Sequence, residues 1–145
     1  MTLTTVTTDE ITVRSELDDP DHPLNKMSFK IRESCFKIHT TFGPGLLEST
    51  YEECLVYDLI ENQKLKVERQ KTLPLKFESL EIANAYKVDI LVEDQIILEL
   101  KACEKLLPIH RAQLLTYMKI KKSHLGYLIN FNEKLIKNGM HRFVL

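Results

Sequence analysis

The chain has 145 residues, enough for one domain that buries about two-thirds of the surface its unfolded form exposes. No apolar run approaches the roughly 20 residues of a membrane helix, and the opening MTLTTVTTDE lacks the basic n-region and apolar h-region of a secretory signal, so the expectation is a cytoplasmic protein with no membrane partner. The formal net charge of −1 conceals an asymmetry: Asp9, Glu10, Glu16, Asp18, Asp19 and Asp21 face only Arg14 near the start, whereas from Lys101 onward the bases dominate and Glu104 and Glu133 are the only acids. A basic half of this kind is compatible with a polyanion partner and equally with an ordinary solvated face.

In chain order, residues 1–24 carry no sustained hydrophobic period and end in DDPDHP, which reads as a flexible acidic arm. The folded domain is then expected over residues 25–145. Met27, Ile31, Cys35 and Ile38 recur at helical spacing, FGPG stops that helix, and a second helix resumes through Leu47, Tyr51, Cys54, Leu55 and Leu59. From Leu65, KVERQKTLPLKF alternates loosely and reads as two broken strands, with Pro74 restricting any strand there to an edge or a bulge. ESLEIANA reads as a turn. YKVDILV and IILELKA, separated by EDQ, form a hairpin of aliphatic strands. PIHRAQLLTYMKIKK returns to a helix with Ile109, Ala112, Leu115 and Met118 on one face and Pro108 in its first turn. HLGYLINF is a further strand, and MHRFVL adds a short edge strand. The order is ααβββαβ, an α+β or α/β domain. Cys35, Cys54 and Cys103 are odd in number and widely spaced, as buried thiols rather than disulfides or zinc ligands would be.

The hairpin carries charges where packing wants hydrophobes. Glu99 and Lys101 point to one face and Leu100 to the other. A three-residue loop over Glu93, Asp94 and Gln95 sets Asp89 directly opposite Glu99, with Val88, Ile90, Leu98 and Leu100 on the opposite face. Opposed carboxylates repel unless a cation lies between them, and their oxygens suit a hard ion such as magnesium. A lysine two residues on can orient a water or neutralise charge on a phosphate. From spacing alone, a solvated strand stripe accounts for these residues at least as well. Glu48 in the first turn of its helix likewise suits the helix dipole without any ligand.

DILV followed by LELKA resembles the Asp then Glu-x-Lys signature of the PD-(D/E)XK nuclease superfamily. GPGLLESTY holds Gly45, Glu48 and Tyr51 at the spacing of its GxxExxY family, and EKLLPIHRAQLLTYMK is similar to the helix that follows. The resemblance spans residues 24 to 145 and implies a restriction-endonuclease-like core, a central mixed sheet flanked by helices. It further implies Mg2+ or Mn2+ held by Asp89, Glu99 and Glu48, with Lys101, Glu48 and Gln113 in catalytic positions. SCFKIH is more polar than the first helix of that family would be. Tyr51, His110 and Tyr117 are expected to line the site, His110 near Gln113, while an exposed Gln113 and a half-buried Tyr117 are equally in keeping with the helix alone. His39 is expected to cap the first helix, and no histidine pair has zinc-ligand spacing.

The expected function is a divalent-metal-dependent nuclease acting on DNA or RNA through a metal-activated water. The competing expectation keeps the fold as an inactive module that binds nucleic acid or a protein partner. Adjacent buried acids favour the enzyme, because a binding module has no physical need of them. A homodimer is expected through an exposed edge of the HLGYLINF strand.

Overall fold

The computed structural model describes residues 16–145, so most of the acidic arm, residues 1–15, lies outside the described residues. Two helices come first, α1 (Pro23–Phe42) and α2 (Glu48–Glu61), followed by β1 (Val67–Phe77), β2 (Leu80–Val92) and β3 (Ile96–Lys101). A third helix, α3 (Pro108–Lys121), crosses to β4 (Leu125–Asn130), and a single turn of helix, α4 (Ile136–Gly139), leads into β5 (Met140–Val144). The five strands lie in the order β1-β2-β3-β4-β5. β3 and β4 are parallel and every other pair is antiparallel, giving a mixed sheet. Parallel neighbours cannot be joined by a tight turn, and α3 supplies the crossover that such a pair requires.

Helices cover both faces. Ile31, Cys35 and Ile38 of α1 and Tyr51, Leu55 and Leu59 of α2 pack on Ile90, Leu98, Leu100, Tyr127 and Ile129. On the reverse, Leu114 and Met118 of α3 pack on Leu91, Ile97 and Leu128. The helical stripe of α1 is the one its sequence period indicates, whereas of the expected α3 series Ile109, Ala112, Leu115 and Met118 only Met118 is buried, and Leu114 joins it. Ile109 is 57% exposed, and the buried side is set by how α3 crosses β4. There Gly126 lets the helix approach closely, since a Cβ added to it would lie 2.8 Å from Met118 Sδ and 3.2 Å from Leu114 Cδ1.

The start of α1 is secured locally. Pro23 occupies its first turn, His22 Nδ1 accepts from the Leu24 N–H at 3.1 Å, and Asn25 Nδ2 donates to the carbonyls of Leu17 and Asp19. Leu17 is buried with the core. α1 ends where Gly43 (φ 66°) and Gly45 (φ 112°) take left-handed conformations that a side chain would disfavour.

Three expectations need correction. Residues 80–85, read as part of a turn, belong to β2, because Phe77↔Leu80, Lys76↔Glu81 and Leu75↔Ile82 pair across a tight turn into one long hairpin. Its polar and exposed side chains at that end hide the strand period. β1 is one strand rather than two, although Pro74 does sit at the register shift between Leu73 and Leu75 and β1 is an edge of the sheet. β4 offers no edge for pairing, since β5 hydrogen-bonds to it from Leu125↔Val144 to Ile129↔Met140. Among the described residues no helix is long and apolar enough to cross a membrane, and the three cysteines are free.

Gly126→Ala is expected to overpack the α3–β4 contact and to cost about 1–3 kcal/mol. Urea denaturation checks this as a lower midpoint at unchanged slope.

Candidate functional site

The β2–β3 hairpin has the register that a three-residue loop requires, with Ile90↔Leu98, Leu91↔Ile97 and Val92↔Ile96 in line. Pairing stops there. β3 continues beside β4 through Glu99↔Leu128 and Lys101↔Asn130, while β2 parts from it, so Asp89 and Glu99 face each other at the mouth of the opening. Their side chains replace the lost ladder: the Leu100 N–H donates to Asp89 Oδ2 at 2.9 Å, and the Asp89 N–H points to Glu99 Oε1 at 3.3 Å. The break also resets the face alternation of β2. Val88, expected on the Ile90 side, packs instead with Leu73, Leu91 and Ile97 beneath α3.

Glu99 is 8% exposed. Burial, and after it the charge of the adjacent Asp89 carboxylate, pushes its carboxyl up to about 9, and the Asp89 side chain lies within hydrogen-bonding reach of it. Lys101, half-buried two residues on, works in the opposite direction on Glu99. Glu48 is the first residue of α2. Its carboxyl is raised by partial burial, lowered by Lys101, raised by Asp89 and lowered by the Ala102 N–H. From the α3 side, Tyr117 stacks on Tyr86 with ring centroids 4.9 Å apart. Its hydroxyl is raised first by burial and then by the charges of Glu99 and Asp89. Asp89, Glu99, Lys101, Glu48 and Tyr117 therefore share one electrostatic neighbourhood although they come from four elements.

Of the remaining expected residues, Tyr51, His110 and His39 make contacts of their own. Tyr51 does not line the site: it is fully buried, stacks on Phe131 at 4.5 Å, donates to the Gly43 carbonyl at 2.5 Å and accepts from the Leu46 N–H at 3.1 Å. It pins the turn from which Glu48 starts. His110 Nδ1 accepts from the Leu107 N–H at 3.0 Å and so finishes the start of α3 rather than facing the acids. Gln113 is exposed one turn before Tyr117, with no hydrogen bond to the acids. The His39 ring bonds the Glu133 carbonyl at 2.8 Å instead of capping α1.

Two residues escaped sequence reading. Glu52, buried on α2, is paired with Arg69 Nε at 2.7 Å. Gln70 donates from Nε2 to Glu52 Oε1 at 2.5 Å and to Asp89 Oδ1 at 3.2 Å. The one available signal was that Glu52 follows Glu48 by four residues and so shares its helix face.

Asp89 and Glu99 fit one hard cation. The pair is two carboxylates held together, an arrangement that ordinarily keeps a proton or a cation between them, and magnesium commonly uses one or two carboxylates and retains several waters. Among the described residues no group of three His, Cys, Asp or Glu side chains converges as a metal cage.

A family model for the PD-(D/E)XK nuclease superfamily matches residues 25–143. The chain belongs to the PD-(D/E)XK nuclease superfamily. Its mixed five-stranded sheet between helices agrees with the restriction-endonuclease-like core of that superfamily. No curated protein and no solved structure matches the chain.

The raised Glu99 carboxyl has a stability consequence with a definite sign. The folded state binds its proton more tightly than the unfolded chain does, so this contribution is full below the ordinary carboxylate range and is lost as pH rises towards about 9. In chelator, Glu99→Gln is expected to raise Tm by roughly a few degrees near pH 8 and by almost nothing near pH 4, a difference that thermal melts across pH read directly. Tyr51→Phe, which loses two hydrogen bonds at the turn, is expected to cost about 1–3 kcal/mol, with faster amide exchange at Leu46 as the local readout.

Proposed function

We propose that this chain is a divalent-metal-dependent nuclease of the GxxExxY family, in which Asp89 and Glu99 hold Mg2+ or Mn2+ and the substrate is DNA or RNA. The observation that carries the reading is the pair of facing carboxylates at the point where β2 parts from β3. When bound, the ion supplies Lewis acidity and water activation at a phosphodiester. Lys101 places a cation beside both acids, where it offsets charge gathering on a phosphate oxygen and can hold a water by hydrogen bonding. Glu48, at the start of α2, would complete the metal shell through a water and orient that water for attack. Gln113 offers its amide to the substrate from the exposed side of α3, with Tyr117 beside it. The excess of Lys and Arg after Lys101 supports a polyanionic partner.

Three free thiols are in keeping with a reducing cytoplasm. A homodimer formed by strand pairing would have to use β1 or β5, the two sheet edges. The second reading, a nuclease-shaped module that binds without cleaving, is favoured by the lack of a three-residue cage among the described residues.

Calorimetric titration of Mn2+ and Mg2+ into the wild type and Asp89→Ala, followed by cleavage of mixed DNA and RNA on the same samples, separates the two. The expected result is metal binding and cleavage in the wild type and neither in Asp89→Ala. Nucleic-acid binding that needs no metal and survives Asp89→Ala would replace the enzyme by the binding module.

A further inference from the structure

β2 loses its backbone partner at Asp89 on both sides. Towards β3 the ladder ends at Ile90↔Leu98, and towards β1 the pairs Arg69↔Ile90 and Lys71↔Val88 flank Gln70 and Asp89, which are themselves unpaired. Gln70 has φ 51°, a left-handed conformation inside a strand. For a residue with a Cβ this is uncommon and strained, and persists only where the surroundings enforce it. What the conformation achieves is visible in the side chain. The Gln70 amide nitrogen lies between two carboxylates, 2.5 Å from Glu52 Oε1 and 3.2 Å from Asp89 Oδ1. An NH2 group has two hydrogens and can satisfy both acceptors, which a carboxylate or a hydroxyl in that place cannot.

The bridge divides the charges. Arg69 Nε binds the other Glu52 oxygen at 2.7 Å, so Glu52 is neutralised from β1 and kept behind the amide. Asp89 receives Gln70 on Oδ1 and the Leu100 N–H on Oδ2. A carboxylate has about four acceptor sites, so both Asp89 oxygens keep capacity for an ion while their orientation is held from two strands.

We propose that Gln70 is a positioning residue, whose amide bridge fixes the Asp89 carboxylate for cation binding and separates it from Glu52. The inference rests on the reading above that Asp89 and Glu99 hold a divalent cation. Gln70 itself touches neither ion nor substrate.

The test is calorimetric Mn2+ titration of the full chain as wild type, Gln70→Gly and Gln70→Glu, with Tm of each measured in chelator. Glycine takes φ 51° without strain, so Gln70→Gly is expected to keep a Tm at or above that of the wild type while binding Mn2+ about 10- to 100-fold more weakly, the usual effect of removing a residue that orients a ligand. Gln70→Glu, equal in length but without donors, is expected to weaken binding at least as much. Affinities within about twofold of wild type in both variants overturn the inference and leave the metal site standing. Tighter binding by Gln70→Glu also overturns it, by making position 70 a ligand. If the wild type binds no Mn2+, the metal reading fails and takes this inference with it.

Discussion

Everything at this site follows from a few backbone hydrogen bonds that β2 does not make. A strand in the middle of a sheet is normally paired on both sides, and unpaired backbone groups there are costly. At Asp89 the two neighbouring strands let go, and carboxylates take over as acceptors for the N–H groups of Asp89 and Leu100. Acidic side chains are therefore structural at the very place where they create an electrostatic problem. Glu99 is buried beside Asp89, and its carboxyl responds by holding its proton to high pH.

The surrounding elements hold that opening in place. β3 cannot follow β2 outward because β4 pairs with it along its whole length and β5 secures β4 in turn. α2 brings Glu48 and Glu52 to the open side, α3 brings Tyr117, and β1 supplies Arg69 and Gln70. Each wall carries a polar residue towards the acids, while the aliphatic faces of the same elements build the two cores. Membership of the PD-(D/E)XK nuclease superfamily thus coincides with a sheet whose buried charge gathers where β2 parts from β3.

Much of this was legible in the residues. The three-residue length of the EDQ loop indicated the register that sets Asp89 opposite Glu99, whereas aliphatic alternation could not decide it, because both faces of the paired segments are buried. FGPG and the α1 stripe were equally plain. What escaped had physical causes. The far end of the β1–β2 hairpin is exposed, so Glu81 to Ala85 show no apolar period. The buried face of α3 depends on its crossing of Gly126, a tertiary fact. Gln70 looked like any polar strand residue, and its role arises from a backbone conformation that no local composition announces. Tyr51 and His110 were read as site residues because they neighbour site residues in sequence, whereas their polar atoms are consumed by a turn and by a helix start.

Tyr51 has a thermodynamic consequence for Glu48. The phenol reaches back to bind both ends of the glycine turn and lies flat against Phe131, so the backbone that delivers Glu48 to the site is already ordered when the chain has folded. The entropy lost in ordering that loop belongs to folding and is not charged again when a ligand arrives. Under the proposed reading, a side chain wholly out of contact with the site would thereby make association there tighter, by preorganisation alone.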